Sequence, residues 1–366
     1  MYEVISFEDV PKWEKKMNEL SKKDVFYRLC YSKLYQEIGD GDPYLFFFEN
    51  EQGQKLCYSF LKRKLNKLPY LSEDLEGAAL YDIITPSYGY GGPLYDHADY
   101  PLIQQFRREF EDYCKEENII TEFIRFHPLL QNQRYMENFL EVSYDRETVY
   151  VDLTKSQDEL ISDYHKNHKR NVTKAIKNNL EFRVFKGSQI EEQLKTFYEM
   201  YSETMDKLNA SDYSYFSSDY LQNLVSGFED HSIMGAVFYK DKMVAAALCL
   251  YDGGTLHYHL GCSKQKFLNL GTSIFLLHNI ALWGKENGLQ SFHLGGGHIG
   301  RDSLFQFKHR FNIKGTLDFY IGKKVHNPEI YKTLIGKWEE YYLKPSNNYF
   351  FPAYRSLANK VPAIIE

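Results

Sequence analysis

The sequence predicts an α+β fold in two similar halves, each a mixed, mostly antiparallel sheet flanked by helices. Three observations predict it. Short β-rich runs joined by tight turns recur, as in LFFFENEQGQKLCYSF (residues 45–60) and VFYKDKMVAAALCLYDGGTLHYHLGC (residues 237–262). Stretches with apolar residues at helical spacing separate them, as in YPLIQQFRREFEDYCKEE (residues 100–117). The order of helices, hairpin, strand, helix and strand also occurs twice, and TEFIRFHP (residues 121–128) is echoed by QSFHLGGG (residues 290–297).

The first half reads in order as follows. A hairpin turns at Glu51-Gln52-Gly53, and LYDII forms a third strand that runs into the Gly/Pro-punctuated loop PSYGYGGPLY (residues 86–95). The helix from Tyr100 follows, then a strand ended by Pro128, a short helix and the strand ETVYVDL. In the second half SQDE is a capping box, with Ser156 at the cap and Glu159 three residues on. It opens a long polar helix through about Asn178. LEFRVFK is a strand, and helices cover about 188–208 and 217–229. Three strands turn at Asp241 and at Asp252-Gly253-Gly254, and a helix over about 270–287 leads into LQSFHLGG. With 366 residues the chain accommodates two domains. The division expected is 1–150 and 151–325, followed by a C-terminal segment over 326–366. Antiparallel strands, a helix and a returning strand describe two tandem GNAT-like (acyl-CoA N-acyltransferase) domains. In that fold two neighbouring strands splay and the ligand lies in the opening; here they are LHYHLGC and SFHLGGG.

Composition excludes several classes. Hydrophobic content of 43% with 26% charged residues is that of a globular protein. A net charge of −6 argues against a DNA-binding role. The five cysteines are scattered without a CxxC pair, which favours reduced thiols and a cytoplasmic setting over a disulfide framework or a zinc site. The N-terminal stretch has acidic residues where a signal peptide is basic and then apolar. No apolar run approaches the roughly 18 residues of a membrane span.

Several clusters are candidates for chemistry. FLNLGTSIF (residues 267–275) sits where GNAT proteins bind the coenzyme A pyrophosphate through an [R/Q]-x-x-G-x-[G/A] loop at a helix start. Asn269 and Gly271 suit that role, but Leu268 and Ser273 depart from the pattern. In the YGYGG loop, Tyr88, Tyr90 and Gly91 could face a ligand, with Arg125 and His127 beside them; a plain tight loop is the equal alternative. YHKNHKRNVTKAIKNN (residues 164–179) carries no acid, and Lys166, Arg170 and Lys174 recur every four residues. An acid-free cationic face, with Lys169, Arg170 and Lys174 as its candidates, leans toward phosphate binding. His257 and His259 share a strand face and, with Tyr258 and His293, are candidates to line a cleft. No carboxylate or cysteine completes a metal-ligand spacing, so no metal is expected. Gly295, Gly296 and Gly297 would leave room at the cleft mouth. Lys308 follows among Phe305, Phe307 and Phe311, on a short helix that would fold back over the opening. A partly desolvated cation there could stabilise the oxyanion of an acyl transfer.

These motifs together resemble the FemAB-like family, which includes the peptidoglycan-bridge aminoacyltransferases. The resemblance is carried by HKRNVTKAIKNNLEF, by LGCSKQKFLNLGTSIFLLHNIALWGKENGLQSFHLGGG, by YGYGGPLY and IRFHP, and above all by LFQFKHRF. It implies transfer of an aminoacyl group from aminoacyl-tRNA, or of an acyl group, onto an amine of a cell-wall or surface-polymer precursor. It also implies C-terminal helices over 326–366 that pack back toward the first domain, and that Phe307 and Lys308 match the family's Phe-Lys pair, the lysine stabilising charge at the reacting carbonyl. The partners expected are a UDP-linked or lipid-linked envelope precursor and, for the aminoacyl donor, tRNA, with no tightly bound cofactor. The chain lacks the heptad-rich insertion of some Fem enzymes, so acyl-CoA remains an alternative donor with an amino sugar as acceptor. A non-catalytic nucleotide-sugar or peptide binding module is the alternative outside enzymes.

Overall fold

A computed structural model describes residues 1–71, 79–207, 215–346 and 350–356. Position 208, at the end of one expected helix, and parts of 326–366 lie outside them. The chain divides into two compact units: Met1–Lys22, Tyr35–Tyr144 and Tyr320–Glu366 form the first, Lys23–Leu34 and Asp145–Phe319 the second. Residues 23–34, which the sequence division puts in the first half, belong to the second unit. They are held there by Asp24 on His257 Nε2 (2.8 Å) and by Arg28 on Asp252 (2.8 Å).

In the first unit the strands run in the order Tyr2–Ser6, Asp42–Glu49, Lys55–Lys64, Tyr81–Ile84, Ile119–Arg125 and the 321–325 stretch. All of these neighbours are antiparallel except Tyr81–Ile84 beside Ile119–Arg125. A parallel pair needs a crossover, and the helix Tyr100–Glu116 supplies it. Asp99 caps that helix through Leu102 N–H (2.9 Å), and a proline sits in its first turn. Leu102, Ile103, Phe106 and Phe110 cover the sheet beside Phe46, Tyr58 and Phe60.

Arg107 lies on the same inward face. Both its terminal nitrogens donate to Glu122 on the adjoining strand at 2.8 Å, and His326 Nε2 lies 3.2 Å from the same carboxylate. Burial alone would raise the Glu122 pKa; the Arg107 charge and the His326 and Arg107 hydrogen bonds overcome it and hold the carboxyl well below its usual range.

The second unit repeats this plan. Its order is the 148–152 stretch, Ser291–Gly296, Thr255–Ser263, Lys242–Asp252, Ser232–Tyr239 and Glu181–Phe185. The parallel pair is Thr255–Ser263 with Ser291–Gly296, and the helix Thr272–Glu286 crosses between them. Each unit is thus a GNAT-like layer of mostly antiparallel strands with one parallel crossover.

One expected helix is two. The capping box forms, but Gln157–Ser162 stops there and a second helix, Lys166–Lys177, starts afresh with His165 as its cap (Asn167 N–H to Nδ1, 3.2 Å). Between them Asp163 is held by Lys155 at 2.6 Å. Among the described residues no helix is long and apolar enough to cross a membrane.

The buried pair generates a prediction. Arg107→Ala leaves Glu122 charged in the core and should cost about 3–5 kcal/mol of unfolding free energy, read by urea denaturation. Glu122 has a depressed folded pKa, so its contribution is complete above the unfolded value of about 4.3 and drains as pH falls below it. The wild-type and Arg107→Ala stabilities should therefore converge on acidification.

Candidate active site

The parallel strands of the second unit pair at Thr255 with Ser291, Leu256 with Phe292 and His257 with His293, and then part. The divergence has a local cause on each strand. Just past His257 the pairing with Lys242–Asp252 shifts register, from Cys249↔Tyr258 to Leu248↔Leu260, leaving His259 as an extra residue. Just past His293 the pairing with Glu141–Asp152 shifts from His293↔Tyr150 to Gly295↔Val149, and Gly295 takes φ 73°, open to glycine but strained for other residues. An inserted residue bends and twists its strand, so both strands turn where they separate.

The short helix Ser303–His309 follows the second of these strands. Phe305 is fully buried and Phe307 half-buried against the core of the unit, together with Phe311. Between the two phenylalanines' turns, Lys308 points inward with only 7% of its surface exposed. Its Nζ donates to the Gly296 carbonyl at 2.7 Å and lies 5.7 Å from the centre of the Tyr258 ring. Burial pulls its pKa down to about 8, with the Asp302 charge opposing part of the shift. An ammonium has three N–H donors, and among the described residues one is engaged.

The glycine run has a different use from the open mouth expected of it. A Cβ on Gly296 would stand 2.8 Å from the Glu147 carbonyl oxygen, and one on Gly297 would strike the Asp302 carboxylate. The protein itself fills that space. Asp302 caps the lysine helix through Phe305 N–H (2.8 Å) and accepts from His298 N–H (2.7 Å) and Ile299 N–H (3.2 Å). Arg146 donates to the Gly297 carbonyl (3.1 Å) and to that of His298. Arg301 meets Glu147 at 2.5 Å. Asp302 and Arg146 escaped the sequence reading, although the spacing of Asp302 before an apolar helix is itself a cap signal.

The histidines and Tyr258 separate. His257, His259 and His293 are buried on the sheet face away from the lysine helix, with Nε2 atoms near Asp24 (2.8 Å), the Tyr220 hydroxyl (3.1 Å) and the Thr148 hydroxyl (3.0 Å). Burial brings His259 down to about 3. Tyr258, at the alternate position on its strand, is the one of these four residues that faces Lys308. In the cationic helix Lys166, Arg170 and Lys174 are exposed along one side, while Lys169 Nζ donates to the Ser162 carbonyl (2.8 Å). Asn269 is exposed, and a Cβ on Gly271 would stand 2.9 Å from the Asn171 carbonyl oxygen, so the loop before Thr272–Glu286 abuts the cationic helix.

In the first unit the YGYGG loop is tied down by Arg125 and Asn132 of the same unit. Gly91 N–H donates to the Arg125 carbonyl (2.7 Å), and Arg125 Nε to the Gly89 carbonyl (3.0 Å). Asn132 bridges the Gly91 and Pro93 carbonyls (2.8 and 3.0 Å) and accepts from His127 N–H (2.8 Å). Tyr90 stacks edge-on to the buried His127 ring at 5.6 Å, and Tyr88 is exposed at the surface. Gly91 abuts Thr85, so its missing side chain serves close packing.

Parting strands closed by a short helix that carries one buried cation form the candidate site of a GNAT-like fold. The chain belongs to the FemAB-like family of peptidoglycan biosynthesis and recognition, whose model matches residues 104–298. Among solved structures it is similar to FemX, at 14% identity and a TM-score of 0.65, over 91% of this chain and 99% of that one. It is also similar to L-PGS from Bacillus licheniformis, at 15% identity and a TM-score of 0.56, over 90% and 96% of the two chains. A conserved protein of unknown function from Bacteroides thetaiotaomicron aligns at 9% identity with a TM-score of 0.57, over 88% of this chain and 99% of that one. At these identities the likeness is one of fold. No curated protein sequence matches the chain.

The loop geometry is testable. Asp302→Ala removes a helix cap and two loop hydrogen bonds and should lower stability by about 1–2 kcal/mol in chemical denaturation. Asp302→Asn keeps one acceptor oxygen for the Phe305 N–H but sets an amide donor against the His298 and Ile299 N–H groups, so it should recover only part of that loss.

Proposed function

We propose that the protein is an N-acyltransferase that moves an aminoacyl group from aminoacyl-tRNA onto an amine of a peptidoglycan precursor. The observation that carries this reading is the buried Lys308 ammonium, fixed by the Gly296 carbonyl beside the point where the two strands part. The acceptor amine attacks the ester carbonyl, a C–N bond forms, and the oxygen becomes an oxyanion. One of the remaining Lys308 N–H groups stabilises that charge, in a low-dielectric setting where such a bond is strongest. The intermediate collapses with cleavage of the ester C–O bond, the tRNA ribose oxygen leaves, and the proton lost by the amine ends on it. The donor is already activated, so no covalent enzyme intermediate is needed. Phe305 and Phe307 seat the lysine helix, Tyr258 lines the same side, and the exposed Arg170 and Lys174 hold phosphates of donor or acceptor.

Two features favour an aminoacyl ester over acyl-CoA. Leu268 removes the first polar position of the pyrophosphate loop. The Asn171 carbonyl, pressed against Gly271, places a negative dipole where a phosphate would approach the helix amides. Purified protein incubated separately with charged tRNA and with acetyl-CoA, each with cell-wall precursors and amino sugars, should give an aminoacyl product by mass spectrometry. An acetyl product would replace this reading with the acyl-CoA one, and binding without turnover would replace it with a binding module.

Lys308→Ala should reduce kcat by roughly 10²–10³ with folding intact. Because the charged lysine is the active form and its pKa is about 8, kcat should fall as pH rises through that value. A flat profile to pH 10 would contradict the oxyanion role.

A further inference from the structure

We propose that His168 is a positioning residue that fixes Lys308 through the peptide group the lysine shares with Phe307. The inference rests on the oxyanion role given to Lys308 above. His168 lies on the buried side of the cationic helix, 1% exposed, and its Nε2 is 3.0 Å from the Phe307 carbonyl oxygen. A carbonyl only accepts, so Nε2 carries the proton and donates. The lysine helix ends here: Phe311 N–H turns to the Lys308 carbonyl (3.0 Å), and the Phe307 carbonyl is taken by His168. That oxygen and the Lys308 N–H belong to one planar peptide group. Holding the oxygen sets the plane from which the lysine side chain departs toward the Gly296 carbonyl at 2.7 Å.

The ring is itself clamped, with centroids 4.4 Å from Phe311 and 5.6 Å from Phe307. Its other nitrogen, Nδ1, has no hydrogen-bond partner among the described residues. Burial takes its pKa down to about 4, so at neutral pH the imidazole is uncharged and held in one tautomer. A buried nitrogen without a partner is a standing cost that a leucine of similar volume would not incur. What histidine provides that an apolar residue cannot is one directed N–H aimed at one carbonyl.

The test needs no turnover for its first readout. Full-length protein labelled at lysine Cε is titrated by NMR from pH 6 to 11, with the Lys308 signal assigned by its loss in Lys308→Arg. The wild type, His168→Leu and His168→Gln are compared, the glutamine amide supplying an N–H near the Nε2 position. In His168→Leu the Lys308 midpoint should shift by at least half a unit, and kcat should fall at least tenfold with KM unchanged. His168→Gln should retain most of both properties. A leucine variant with the Lys308 midpoint and kcat of the wild type would overturn the proposal, as would equal losses in the folded leucine and glutamine variants. If His168→Leu does not fold, His168→Phe replaces it. An active Lys308→Ala would overturn the oxyanion role instead, and the titration difference would still decide the positioning.

Discussion

The second unit is organised around one constraint: two parallel strands that stay paired for three residues and then separate. Separation strips backbone groups of their ladder partners, and a buried carbonyl without a donor is costly. The structure answers that cost with side chains. Lys308 supplies a donor to Gly296, Arg146 supplies donors to Gly297 and His298, and Asp302 accepts from the amides that follow. The lysine is therefore both a repair to an opened sheet and a charge concentrated at the opening. Its helix exists where it does because the strand before it could not continue.

The two units use buried charge in opposite ways. In the first, Arg107 faces a carboxylate at 2.8 Å through two nitrogens, with His326 on the same group. That guanidinium and that carboxylate are each other's near partners, so the charge is compensated within the core. In the second, Lys308 has a neutral carbonyl as its near partner and a carboxylate, Asp302, only as a more distant influence. An ammonium compensated so lightly gains by meeting an anion, which is the asymmetry expected of a group that stabilises transient negative charge. The same fold thus holds a cation paired with a carboxylate and a cation whose near partner is a neutral carbonyl.

What the sequence made legible follows from which physics is local. Hairpins, crossover helices and the capping box at Ser156 depend on periodicity and turn chemistry within a few residues, and they formed as expected. The lysine helix was legible for the same reason, since Phe305, Lys308 and Phe311 lie one turn apart. The glycine run was misjudged because absent side chains signal close approach without saying what approaches; Glu147 and Asp302 are remote or unremarkable in the sequence. The three histidines were grouped with Tyr258 although strand alternation sends them to the other face. Their partners, Asp24, Tyr220 and Thr148, come from segments 39 to 233 residues away. The break at Asp163–His165 arose because a second cap competes with helix continuation, and periodicity cannot see it.

The helix Lys166–Lys177 gives the proposed reaction a physical economy. Its outer side carries Lys166, Arg170 and Lys174, and its inner side carries His168 on the Phe307 carbonyl. A helix of this length moves as a rigid element, because its backbone hydrogen bonds resist bending. A phosphate drawn to the outer side therefore acts on the same body that seats the lysine helix. In the proposed reaction, neutralising those cations would relieve their mutual repulsion along the helix. If the proposed reaction runs here, substrate binding and lysine placement are two faces of one element, and recognising a polyanion would be coupled to holding the group proposed to stabilise the oxyanion.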